Sequence, residues 1–66
     1  MQPRTRALVA RAQALLDKLG YDIGAADGEA GARTREAIKA FELRNGMDET
    51  GEVTGPLVTK LERLAS

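Results

Sequence analysis

The chain has 66 residues, ten basic and ten acidic, and therefore no formal net charge. It is expected to form a single domain over residues 1–66: a fold of this size buries only about 60% of its unfolded surface and must pack efficiently. There is no cysteine and no histidine, which excludes disulfides, thiolate chemistry, zinc sites built from those ligands, and Ser-His or Cys-His nucleophile pairs.

Charge is unevenly spread. Residues 1–20 are basic, with Arg4, Arg6, Arg11 and Lys18 against Asp17, whereas residues 21–32 carry only Asp22, Asp27 and Glu29. Neighbouring segments of opposite sign neutralise one another in a compact fold. With no overall excess of Lys and Arg, no nucleic-acid partner is expected. No apolar run approaches the ~20 residues of a membrane span, so no membrane insertion of this segment is expected. The start MQPRTR is charged but no hydrophobic stretch follows it as in an export signal. The chain reads as a piece of a longer protein, so that feature says little about where the parent resides.

Three periodic stretches are separated by Gly and Pro. From Pro3 to Leu19, residues Leu8, Val9, Ala12, Leu15, Leu16 and Leu19 recur at steps of three and four, the mark of an amphipathic helix. Pro3 suits the first turn, and Gly20 suits a left-handed C-terminal cap. Tyr21–Ala32 has no period and holds Gly24, Gly28 and Gly31. Asp27-Gly28 is a strong turn signal there.

A second helix is predicted over residues 32–45, its stripe formed by Thr34, Ala37, Ile38 and Phe41 and its end marked by Asn45-Gly46. Thr50-Gly51 makes another turn. A third helix is predicted over residues 55–65, with Thr54 as N-cap, Pro56 in the first turn, and Leu57, Val58, Leu61 and Leu64 on its apolar face. Extended pieces around Ile23 and Val53 are long enough to pair over two or three residues, short of a sheet. The predicted core includes Leu16, Leu19, Ile38, Phe41, Val53, Val58 and Leu61. There is also an echo: Asp27-Gly-Glu-Ala precedes the second helix and Thr50-Gly-Glu-Val the third. Two copies are too few for a repeat architecture.

Each polar motif has a structural and a functional reading. Asp27-Gly28 is read first as an Asx-type turn with a positive φ at glycine, and second as a ligand loop. The Thr34 hydroxyl, on the buried stripe, is expected to bond a loop backbone group. Gln13, beside Ala12, is expected to bond at the core edge. Asp22, Asp27 and Glu29 fail the twelve-residue calcium-loop spacing, so no metal site is expected. Gly24-x-x-x-Gly28-x-x-Gly31 matches neither a phosphate loop nor a dinucleotide fingerprint, and no cofactor is expected. A carboxylate pair working as a glycosidase needs a cleft that excludes water, which a domain this small lacks. Leu43 falls off the buried stripe; it is read first as an ordinary isolated exposed leucine and second as a contact surface for a partner.

The motifs together resemble the peptidoglycan-binding domain-like family. Val9-x-x-Ala12-Gln13-x-x-Leu16-x-x-Leu19-Gly20-Tyr21 is similar to its first helix, V-x-x-L-Q-x-x-L-x-x-L-G-Y. Asp27-Gly28-x-x-Gly31-x-x-Thr34-x-x-Ala37-Ile38-x-x-Phe41 is similar to its D-G-x-F-G-x-x-T-x-x-A-V-x-x-F-Q signature. Gly46-Met47-x-x-Thr50-Gly51-x-Val53 is similar to its G-L-x-x-T-G-x-V turn. The resemblance spans about residues 8–64. The chain departs from the pattern at Ala12 (usually Leu), Ala30 (Phe), Glu42 (Gln) and Leu57 (Thr). The change at Ala30 leaves Tyr21 and Phe41 as the only aromatic residues.

The resemblance implies an all-α fold, a small three-helix bundle with short extended turns between its helices. It also implies a non-catalytic module that holds its parent on peptidoglycan or a muropeptide, in the periplasm or at the cell wall. A monomer is expected. The alternative is a protein–protein docking module on the same fold; a three-helix DNA binder is disfavoured by the neutral charge. The expected ligand contacts are Tyr21, Asp27, Gly28, Gly31, Arg33 and Glu42. They rest on the Tyr21–Ala32 loop facing the start of the second helix, where free N–H groups and Arg33 suit a carboxylate. The Tyr21 hydroxyl and the Glu42 carboxylate are expected to add polar contacts.

Overall fold

The computed structural model describes residues 3–66, with side chains from Arg6 onward. Three helices follow in order: α1 (Pro3–Lys18), α2 (Ala32–Arg44) and α3 (Gly55–Ala65). The described residues contain no strand, so the extended pieces around Ile23 and Val53 do not pair. α1 packs chiefly on α3 and less on α2.

Local chemistry explains the helix ends. At the end of α1 the Tyr21 amide donates to the Leu16 carbonyl at 2.9 Å and the Gly20 amide to Asp17 at 3.0 Å. Gly20 has φ +95°. This is a Schellman close, and it returns Tyr21 to the core. α2 ends the same way: Met47 donates to Glu42 at 2.8 Å, Gly46 to Leu43 at 3.4 Å, and Gly46 has φ +68°. At the start of α3 the Thr54 hydroxyl accepts from the Leu57 amide at 3.2 Å, with Pro56 in the first turn. α2 begins differently: Gly31 occupies its N-cap and no side chain bonds the first turn.

The core joins Ala12, Leu15 and Leu16 of α1, Ile23 of the loop, Ala37, Ile38 and Phe41 of α2, and Leu57, Val58 and Leu61 of α3. Five of the seven predicted core residues are buried. Leu19 and Val53 are instead half-buried and pack against the margin, because each lies just outside a helix end, where one side of the residue meets solvent. Ile23 is 4% exposed; with the helical stripes it closes the core from the loop side. Phe41 and Tyr21 meet edge to face, ring centroids 6.0 Å apart at 77°, an arrangement that aligns the positive edge of one ring with the negative face of the other.

Candidate functional site

Among the described residues, two long polar side chains lie inside the fold, and each fixes one glycine turn. Gln13 is fully buried. Its Oε1 accepts from the Gly28 amide at 2.9 Å. Its Nε2 donates to the Glu29 carbonyl at 2.8 Å and to Thr34 Oγ1 at 3.0 Å. The Thr34 hydroxyl then donates to the Ile23 carbonyl at 3.3 Å. One amide on α1 thus ties both limbs of the 21–31 loop to the start of α2. A primary amide suits this place because it offers an acceptor and two donors together.

Glu42 does the corresponding work on α2. It is 3% exposed. Its Oε1 accepts from the Gly51 amide at 3.0 Å and its Oε2 from the Thr50 hydroxyl at 2.9 Å. The turn's own bonds repeat as well. Asp27 Oδ1 accepts from the Glu29 amide at 2.9 Å, and Thr50 Oγ1 accepts from the Glu52 amide at 3.1 Å. Gly28 and Gly51 have φ of +82° and +70°. The sequence echo is therefore one hydrogen-bonding scheme used twice.

The structure separates the six expected ligand residues. Asp27, Gly31 and Arg33 come together around a shallow cup of about 290 Å³ at the loop and the first turn of α2. Arg33 reaches Asp22 at 3.8 Å, with both side chains mostly exposed; such a pair holds little energy and leaves the guanidinium accessible. Tyr21 lies beside the cup's loop, half-buried on Phe41. Gly28 is buried; a Cβ there would come within 2.9 Å of Arg6 Cγ and 3.3 Å of the Arg6 carbonyl. Glu42 differs most from expectation. Both its oxygens are taken up inside, and it faces the second turn rather than the cup. The signal that marks it is in the sequence: Ile38-x-x-Phe41-Glu42 repeats the spacing of Val9-x-x-Ala12-Gln13, and a residue following two core positions of a helix points to the core edge.

Asp27 has its carboxyl held below the ordinary carboxylate value, first by the Glu29 amide that donates to it; burial acts weakly in the opposite sense, and the Arg6 charge adds a smaller lowering. It stays ionised at neutral pH. The cup is shallow and open. Among the described residues, no group of three carboxylates converges to hold a metal ion, and no helix is long and apolar enough to cross a membrane.

The chain is thus a short all-α unit in which a buried Gln and a matching buried acid hold two glycine turns on one core. Residues 5–61 match the family described as "Putative peptidoglycan binding domain". The match covers most of the chain, and the chain belongs to this family. No curated protein and no solved structure matches it.

Proposed function

We propose that this chain is a non-catalytic module that holds its parent protein on the peptidoglycan of a bacterial cell wall, in the periplasm or at the wall itself. The observation that carries the reading is the family match over residues 5–61. The cup supports it. Asp27, Gly31 and Arg33 surround an accessible concavity, and the first turn of α2 has no side-chain cap. A stem-peptide carboxylate suits an uncapped helix start beside an arginine. Each such contact is exposed and weak, and many sites along the polymer supply avidity.

Co-sedimentation with purified sacculi tests the reading. The protein is expected in the pellet, without time-dependent release of soluble muropeptides. Recovery in the supernatant refutes wall binding; release that tracks the pure protein refutes the non-catalytic role. A second reading, docking to a protein partner, is favoured by one observation: Leu43 and Leu64 are 65% and 49% exposed. Replacing both with Ser leaves sacculus binding unchanged under the first reading and abolishes partner capture under the second.

A further inference from the structure

A second groove, of about 320 Å³, is lined by Val9 of α1, Ala30 of the loop, Arg35 of α2, and Gly51, Glu52 and Val53 of the second turn. Val9, Ala30 and Val53 supply its apolar surface. Arg35 and Glu52 are exposed, and among the described residues neither side chain has a hydrogen-bond or ion-pair partner. Elsewhere opposite charges do meet: Arg11 with Glu62 at 3.1 Å, Arg33 with Asp22 at 3.8 Å, and Lys39 with Glu36 at 3.9 Å. In this groove a cation and an anion share one concavity without neutralising each other.

That charge pattern selects a ligand. A molecule with a carboxylate, an ammonium and a short aliphatic arm between them can satisfy both groups and cover the valines. A sugar face cannot use the groove in the usual way, because neither aromatic residue lines it and ring stacking needs an open aromatic face. N-acetylhexosamine units are uncharged, whereas the peptide stems of a wall polymer carry free carboxylates and amines. We infer that this groove, distinct from the cup, binds the peptide stem rather than the glycan, with a stem carboxylate on Arg35, a stem ammonium on Glu52 and the intervening methylenes on Val9 and Val53. The inference rests on the peptidoglycan reading above.

The test is an amide chemical-shift titration of the isotope-labelled protein with two separate probes at millimolar concentration: the tripeptide L-Ala–γ-D-Glu–L-Lys, and chitotriose. The tripeptide is expected to shift the amides of Val9, Ala30, Arg35, Glu52 and Val53, and chitotriose to leave them in place. Arg35→Gln and Glu52→Gln, both on exposed side chains, keep the wild-type spectrum in the absence of ligand and each weaken tripeptide binding about threefold to fivefold, the scale of a solvent-exposed charge contact. Shifts confined to residues 24–33, shifts in the groove caused by chitotriose, or tripeptide binding by either variant as tight as that of the wild type overturn the inference. Sacculus co-sedimentation separates the two readings. Sacculi bound without a tripeptide effect in the groove overturn the stem site alone; sacculi and tripeptide both unbound overturn the stem site and wall binding together.

Discussion

Exchanging the buried Gln13 and Glu42 for each other's chemistry has opposite consequences at the two sites. In Gln13→Glu, one carboxylate oxygen still accepts from the Gly28 amide. The other replaces an NH₂ that donates at 2.8 Å to the Glu29 carbonyl, so two acceptors face each other in a position with no solvent exposure. A buried charge deprived of a donor costs about 3–5 kcal/mol. The whole stability of a 66-residue domain is on the order of 3–10 kcal/mol, so the variant loses a large part of it. At about 4–8 °C per kcal/mol the melting temperature falls by roughly 12 °C or more.

Glu42→Gln is different. Both its partners are donors, the Gly51 amide and the Thr50 hydroxyl. The new amide oxygen keeps the first bond, and the Thr50 hydroxyl turns to accept from the new NH₂. The cost is about 1 kcal/mol or less. Thermal and urea unfolding followed by helical circular dichroism measure both variants. The Gln13→Glu deficit also shrinks in acid, because a protonated carboxyl regains a donor for the Glu29 carbonyl. Equal shifts for the two variants, or a Gln13→Glu deficit under about 1 kcal/mol, would refute the assignment of Gln13 as the donor that ties the loop to α1.

Phe41→Ala removes a ring that is 1% exposed; a loss of about 3–5 kcal/mol leaves little or no cooperative unfolding in a thermal melt, and a well-folded variant contradicts the core assignment. Gly28→Ala loses at least about 1–2 kcal/mol, from the left-handed backbone and from a Cβ 3.3 Å from the Arg6 carbonyl. Gly31→Ser, at an N-cap with φ −79° and nothing within 4 Å of its Cβ, gains a few tenths of a kcal/mol by capping α2; urea midpoints rank the two against wild type. Asp27 has a folded-state pKa below its ordinary value, so its stabilising effect is fully present above that ordinary value, near pH 4, and is lost as the pH falls through the lower folded value. Asp27→Asn therefore flattens the part of the acid limb of the stability profile that lies below about pH 4, and a limb unchanged by the substitution contradicts the turn assignment.

The three helices were legible because their causes are local. Spacing at three and four residues sets the buried stripes. Gly20 and Gly46 permit the left-handed residue that closes α1 and α2, and Thr54 caps α3 with its own hydroxyl. The observed ends fall within a residue of the expected ones. The Asp27-Gly28 turn was readable for the same reason, since its bond runs from Asp27 to a residue two positions on.

The site was less legible because its bonds cross long stretches of chain. Gln13 meets Gly28 and Thr34 from 15 and 21 residues away, and nothing local records that its amide has a separate partner for its oxygen and each of its two hydrogens. Glu42 looked like a free acid on a helix; it is a buried acceptor because α2 and the Thr50-Gly51 turn fold together across its carboxylate. Leu19 and Val53 were equally apolar in the sequence as their buried neighbours, but the packing of the helices left each at the margin of the core. Arg35 and Glu52, distant and unremarkable along the chain, share a groove because α2 and the second turn are brought beside Val9. Periodicity and turn chemistry act within a few residues and can be read there. Which polar groups are spent inside and which remain for a ligand depends on contacts between elements, and those form only when the helices pack.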